Sequence, residues 1–227
     1  MRMNSTLERI EIDPPGQVRG AVIWLHGLGA DGHDFEPLIE QWDLVQQHGI
    51  RFVLPHAPVR PVTMNGGMEM RAWYDLAGID ALAPEDAAGI QSSREQLEAL
   101  IRQENERGIA SSAIVLAGFS QGGAMVLHTG LRYRQPLAGI LALSCYLPLA
   151  ESLEDEKSSV QNAIPLRMDH GDSDPVVPLK LAHLSRDAIQ KSGYSVEFNT
   201  YPMAHSLCPE QAASIYSWLK LQFQAVS

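Results

Sequence analysis

The segment Gly118-Phe119-Ser120-Gln121-Gly122 sets a serine between glycines at the spacing that a nucleophilic hydroxyl on a tight turn demands. Such a serine adopts a cramped backbone, so the side chains two places before and after it must be minimal. Gly118 and Gly122 meet that demand, with Gly123 as a further small residue. A plain glycine-rich turn with a serine helix cap would use the same residues. Context separates the two. Residues 113–117 (AIVLA) read as a buried strand and residues 121 to about 133 as a helix, so strand, turn and helix fall in the required order. At a helix N-terminus, unpaired N–H groups and the helix dipole favour developing negative charge.

A serine hydroxyl is a weak nucleophile near neutral pH and needs a base, which in turn needs an orienting acid. On parallel α/β scaffolds with such a turn, the chain order is serine, acid, histidine, each on a loop at the C-terminal edge of the sheet. Four of the eight histidines follow Ser120: His128, His170, His183 and His205. His128 and His183 fall inside expected helices and His170 at a strand end. His205 lies between the last strand and the last helix, and that placement favours it. For the acid, Gly171-Asp172-Ser173-Asp174-Pro175 offers two carboxylates. Asp172 suits a turn, whereas Asp174 is held extended by the proline after it. Spacing leaves both open. The oxyanion donors expected are the backbone N–H groups of Gln121 and of Leu28, the latter in His26-Gly27-Leu28-Gly29 after the first buried strand. Because Gln121 would act through its backbone, Gln121→Ala is expected to cost little. His26 is expected to brace its loop. No His, Cys and carboxylate grouping has metal-ligand spacing, so neither a metal nor another cofactor is expected.

The elements that must hold these residues alternate between short apolar runs and longer helical segments, which implies a mostly parallel central sheet flanked by helices. Strands are expected at 21–25, 51–54, 113–117, 137–143, 166–170 and 195–200. Helices are expected near 35–47, 85–107, 121–133, 179–191 and 209–223. Residues 151–161, polar and serine-rich, read as a surface excursion. A chain of 227 residues fits one α/β domain, expected over 1–227. Its net charge of −10 argues against a nucleic-acid or anionic-lipid footprint. The first nine residues hold no apolar signal core and no run approaches a membrane span, so a cytoplasmic protein without stable membrane insertion is expected. Cys145 and Cys208 are too few for a disulfide framework.

With these residues in place the chain resembles the carboxylesterase and acyl-protein thioesterase family of small α/β-hydrolases. The resemblance rests on WLHGLGADGHDF (24–35), MRAWYDL (70–76), GFSQGG (118–123), HGDSDPVVP (170–178) and the HSLCPE run from His205. It implies an α/β-hydrolase fold without a large cap domain, and a carboxylic ester or thioester hydrolase. It also implies a catalytic triad of Ser120, His205 and Asp174, and oxyanion donors on Leu28 and Gln121. The sequence departs from the family at Pro202 and Ala204, where glycines usually flank the methionine before the histidine; a stiffer loop is expected. Segment 61–76 is too apolar for a solvated loop and too broken by Gly66 and Gly67 for a helix. Met64, Met68, Met70 and Trp73 in it are expected to line an adaptable groove for the acyl chain of a small ester, a thioester or an acylated protein. Lysophospholipid hydrolysis is the nearest alternative. A non-catalytic acyl-binding protein is a more distant one, since it has no need of the triad types.

Overall fold

The computed structural model describes residues 7–79 and 83–224, so most of the N-terminal segment read for a signal lies outside it. Its strands are β1 (Arg9–Ile12), β2 (Gly20–Leu25), β3 (Ile50–Pro55), β4 (Val59–Val62), β5 (Met68–Arg71), β6 (Ile114–Phe119), β7 (Gly139–Leu143), β8 (Leu166–Gly171) and β9 (Glu197–Tyr201). The helices are α1 (Glu36–Ile39), α2 (Leu44–His48), α3 (Ala87–Glu106), α4 (Gln121–Arg132), α5 (Leu153–Glu156), α6 (Leu179–Lys191) and α7 (Pro209–Gln224). Seven strands form one sheet in the order β1-β3-β2-β6-β7-β8-β9. Only its first pair, β1 with β3, is antiparallel.

The central strands are apolar almost without interruption because both of their faces are covered. Ala21, Ile23 and Leu25 of β2 point into a core shared with α3 and α4, while Val22 and Trp24 point into one shared with Ile215, Trp218 and Leu219 of α7. That alternation is the two-residue period of a strand read on two buried faces. From β2 the connections run outward to β3, and from β6 they run outward the other way to β7, β8 and β9. The chain therefore reverses direction between neighbours β2 and β6, which places a crevice beyond their C-terminal ends. Register pairs Leu25 with Gly118, so the loop holding Leu28 and the turn holding Ser120 leave the sheet side by side.

Several local expectations change. The helix expected over 35–47 is broken into α1 and α2, and the break lets Trp42 insert among Trp24, Phe52 and Tyr216. The irregular stretch after Pro58 contains a two-stranded hairpin, β4 with β5. Gly66 and Gly67, which argue against a helix, sit at φ 67° and 80° and close the hairpin's loop. The excursion at 151–161 is anchored rather than free: Leu153 is buried in α5, and the buried Gln161 amide donates to the Tyr133 and Gln135 carbonyls.

Candidate active site

Ser120 stands between β6 and α4 with φ 54°, a backbone that L side chains rarely adopt. Its N–H donates to Leu143 O at 2.8 Å, which ties the turn to the neighbouring strand β7. The flanking glycines are dictated by contact: a Cβ on Gly118 would overlap the Gly122 carbonyl, and one on Gly122 would overlap Leu25 O and His26 O. These close approaches press the serine turn against the Leu28 loop.

Three side chains from three loops form one hydrogen-bonded chain. Ser120 Oγ lies 2.9 Å from His205 Nε2, and His205 Nδ1 lies 2.6 Å from Asp174 Oδ2. Asp174 is buried, and its other oxygen accepts the Val176 and Val177 N–H groups at 2.8 and 2.9 Å. Both carboxylate oxygens are thereby occupied and its orientation fixed. Asp172, two residues earlier, is exposed and among the described residues accepts only the Ser173 hydroxyl. His170 is buried behind the acid. Its Nε2–H donates to Val177 O at 2.8 Å, and burial holds its pKa below the ordinary range. The Phe119 ring packs against His205 at 4.8 Å between centroids.

Pro202 and Ala204, the departures from the family, have exposed side chains and φ outside the left-handed region, so neither place needs glycine. The backbone between them does the anchoring. Met203 O accepts from Ser173 N–H at 3.2 Å, and the Met203 and Ala204 carbonyls press so close to Gly171 that a Cβ there would collide. The histidine loop and the acid loop therefore hold each other.

The Leu28 loop is braced as expected by His26. Its Nε2 accepts the Ala57 N–H at 3.0 Å, its Nδ1–H donates to Gly27 O at 2.7 Å, and burial drives its pKa down to about 4. Gly29, at φ 78°, donates to Arg71 O at the end of β5. Gln121 opens α4, so its N–H has no acceptor within the helix. Among the described residues no hydrogen bond from the Leu28 N–H is found. Leu28, Gln121, Ser120 and His205 all border a cavity of about 320 Å³.

The sequence did not disclose what the Gln121 side chain does. It is buried; Oε1 accepts the Trp73 N–H and Nε2 donates to Tyr74 O, both at 2.8 Å. The Trp73 indole N–H in turn donates to His26 O at 2.9 Å. Trp73 is thus a buried brace between the two loops and not a groove wall. Of the methionines expected in the groove, only Met64 lines the cavity. Met68, at the hairpin tip, is 65% exposed and is not among the lining residues, and Met70 is half-buried with its sulfur beside the Asn65 amide. The walls are instead Tyr74, Leu76, Ile79 and Tyr146, which also line an adjoining cavity of about 450 Å³ reaching Leu147, Leu181 and Leu184. Tyr146 was findable, since it follows the C-terminal end of β7, where sites on such sheets are built.

A parallel sheet with a strained serine turn at its reversal point, beside a histidine within hydrogen-bond reach, defines a serine hydrolase of the α/β-hydrolase fold. The model of the phospholipase/carboxylesterase family matches residues 8–223, and the chain belongs to that family of ester hydrolases. It is 44% identical over 207 residues to acyl-protein thioesterase 1 of Neurospora crassa, covering 87% of this chain and 84% of that protein. It is 39% identical over 215 residues to acyl-protein thioesterase 1 of Gibberella zeae, covering 91% and 92%. Among solved structures, Zea mays acyl-protein thioesterase 2 superposes with a TM-score of 0.85 at 30% identity, over 95% of this chain and 99% of that one. Arabidopsis thaliana SOBER1 superposes with a TM-score of 0.84 at 29% identity, over 89% and 98%.

Proposed function

We propose that Ser120, His205 and Asp174 are the catalytic triad of a thioesterase or carboxylesterase that removes acyl chains, with acylated protein as the substrate class. The observation that carries this reading is the unbroken hydrogen-bonded chain from Asp174 through His205 to Ser120, opening onto an apolar cavity. Ser120 Oγ attacks the acyl carbon while its proton passes to His205 Nε2, and Asp174 stabilises the resulting imidazolium. The oxyanion rests on the Leu28 and Gln121 amides. His205 then gives its proton to the leaving sulfur or oxygen, which departs. Water attacks the acyl-enzyme, transferring its proton to His205, and the acid leaves as Ser120 recovers that proton.

The acyl chain occupies the cavity beside Ser120 and extends past Tyr74 and Tyr146 into the adjoining one. Support for a protein substrate comes from the relatives named acyl-protein thioesterase. We read residues 1–227 as one domain, because the described elements share one sheet with a small hairpin attached. Among the described residues no helix is long and apolar enough to cross a membrane; the compartment proposed for the activity is the cytoplasm. Ser120→Ala is expected to lower turnover of an acyl thioester about a million-fold and to abolish labelling by a fluorophosphonate. Near-native hydrolysis by that variant refutes the assignment, and an unreactive wild-type chain would mark a non-catalytic binder.

A further inference from the structure

A second groove, of about 980 Å³, meets the active-site cavity at Asp34, Phe119 and His205 but borders neither Ser120 nor the Leu28 and Gln121 amides. One wall is the broken-helix segment, with Leu38 and Trp42; the other is the start of α7, with Ala213 and Tyr216. In the tetrahedral intermediate the acyl chain and the leaving group depart from one carbon and cannot share a space. The leaving atom must lie beside His205 Nε2 to receive its proton. The groove that touches the base while missing the oxyanion donors is therefore on the leaving-group side.

Its charge is one-signed. Among the described residues Asp34 and Asp43 line it and no Lys or Arg does. Asp43 accepts the Tyr216 hydroxyl at 2.6 Å and has His48 at 3.9 Å, so it is already partnered. Asp34, though exposed overall, has no side-chain hydrogen bond among the described residues, and partial desolvation of its carboxyl together with the neighbouring Asp31 raises its pKa. Lys220 lies outside the lining, its Nζ over the Tyr216 ring at 5.7 Å from the centroid. Asp34 and Ala213 in its lining are exposed, so a chain seated here stays open to solvent.

We propose that this groove is the leaving-group subsite and that it takes a basic peptide bearing the acylated side chain, disfavouring anionic leaving groups. The proposal rests on the catalytic reading above. The test uses S-octanoyl cysteine peptides of one length with basic, neutral and acidic flanks, alongside an S-octanoyl ester of a small thiol. At low salt kcat/KM should fall from basic to acidic peptide by about tenfold, and the spread should shrink to about twofold at 0.5 M NaCl. Asp34→Asn should narrow the low-salt spread about threefold. Ala213→Trp, on an exposed helix face, should lower kcat/KM for every peptide about tenfold and leave the small thioester within about twofold. Equal rates for the three peptides overturn the charge preference. An Ala213→Trp variant that slows the small thioester equally overturns the subsite. Residual activity in Ser120→Ala would instead defeat the catalytic reading, so the two failures are distinguishable.

Discussion

Gln121→Ala separates two views of one residue. If only the backbone N–H matters, the substitution is almost silent. The buried side chain says otherwise: its removal strands the Trp73 N–H and the Tyr74 carbonyl, each now satisfied at 2.8 Å. An unsatisfied buried polar group costs about 1–3 kcal/mol, so two of them cost about 2–4 kcal/mol after partial relaxation. Gln121→Met keeps the volume while losing both hydrogen bonds, which removes the contribution of an empty space. Urea unfolding at pH 7 should show Gln121→Met destabilised by that amount and Gln121→Ala by at least as much, with the midpoint shifted and the slope unchanged. Activity should fall as well, although the N–H at position 121 remains, because Trp73 braces the Leu28 loop through His26 O. Gln121→Glu keeps the acceptor for Trp73 N–H but sets a carboxylate against the Tyr74 carbonyl, so it should be no better than Met. A Gln121→Ala chain within about 0.5 kcal/mol of wild type would refute the reasoning.

The two aspartates separate cleanly: Asp174→Asn should lower kcat about ten-thousandfold by freeing the histidine tautomer, while Asp172→Asn should change it less than about threefold, both checked by steady-state kinetics on folded protein. The pH dependence of stability follows from His26 and His128, whose pKa values burial lowers to about 4. In the unfolded chain each takes a proton near pH 6.5, so the unfolded state binds more protons below that pH. Their joint contribution is then flat above about pH 7 and declines from about pH 6.5 toward 4, at up to about 1.4 kcal/mol per pH unit for each histidine. A urea midpoint unchanged from pH 7 to pH 5 would contradict this.

How much of this was written in the sequence depended on whether the deciding contact was local. Strands such as Ile114–Phe119 and Gly139–Leu143 are buried on both faces, and their unbroken apolar runs announce it. Arg9–Ile12 pairs at a sheet edge and alternates charge with isoleucine over four residues, too short to stand out. The hairpin was hidden by its own turn glycines, which read as breakers of a helix and not as closers of a loop. At the site, the glycine-flanked motif between a strand and a helix carried Ser120, and chain order carried His205, because both signals are local. The choice between Asp172 and Asp174 lies in side-chain direction, which spacing does not encode. The Gln121 clamp was invisible because its partners stand 47 and 48 residues away, and Met68 misled because an apolar residue at a hairpin tip looks the same in sequence as one in a groove.

Ser120 occupies φ 54°, a conformation costing on the order of 1–3 kcal/mol for a residue with a side chain. Glycine at 120 would relax that strain and give a more robust but inert molecule. The fold thus sits off its own stability optimum at the one position proposed to carry the reaction, and changes that favour robustness there run against turnover. Thermal tolerance in this chain has to be gained elsewhere, on surfaces such as the outer faces of α3 and α6, where no reacting group constrains the backbone.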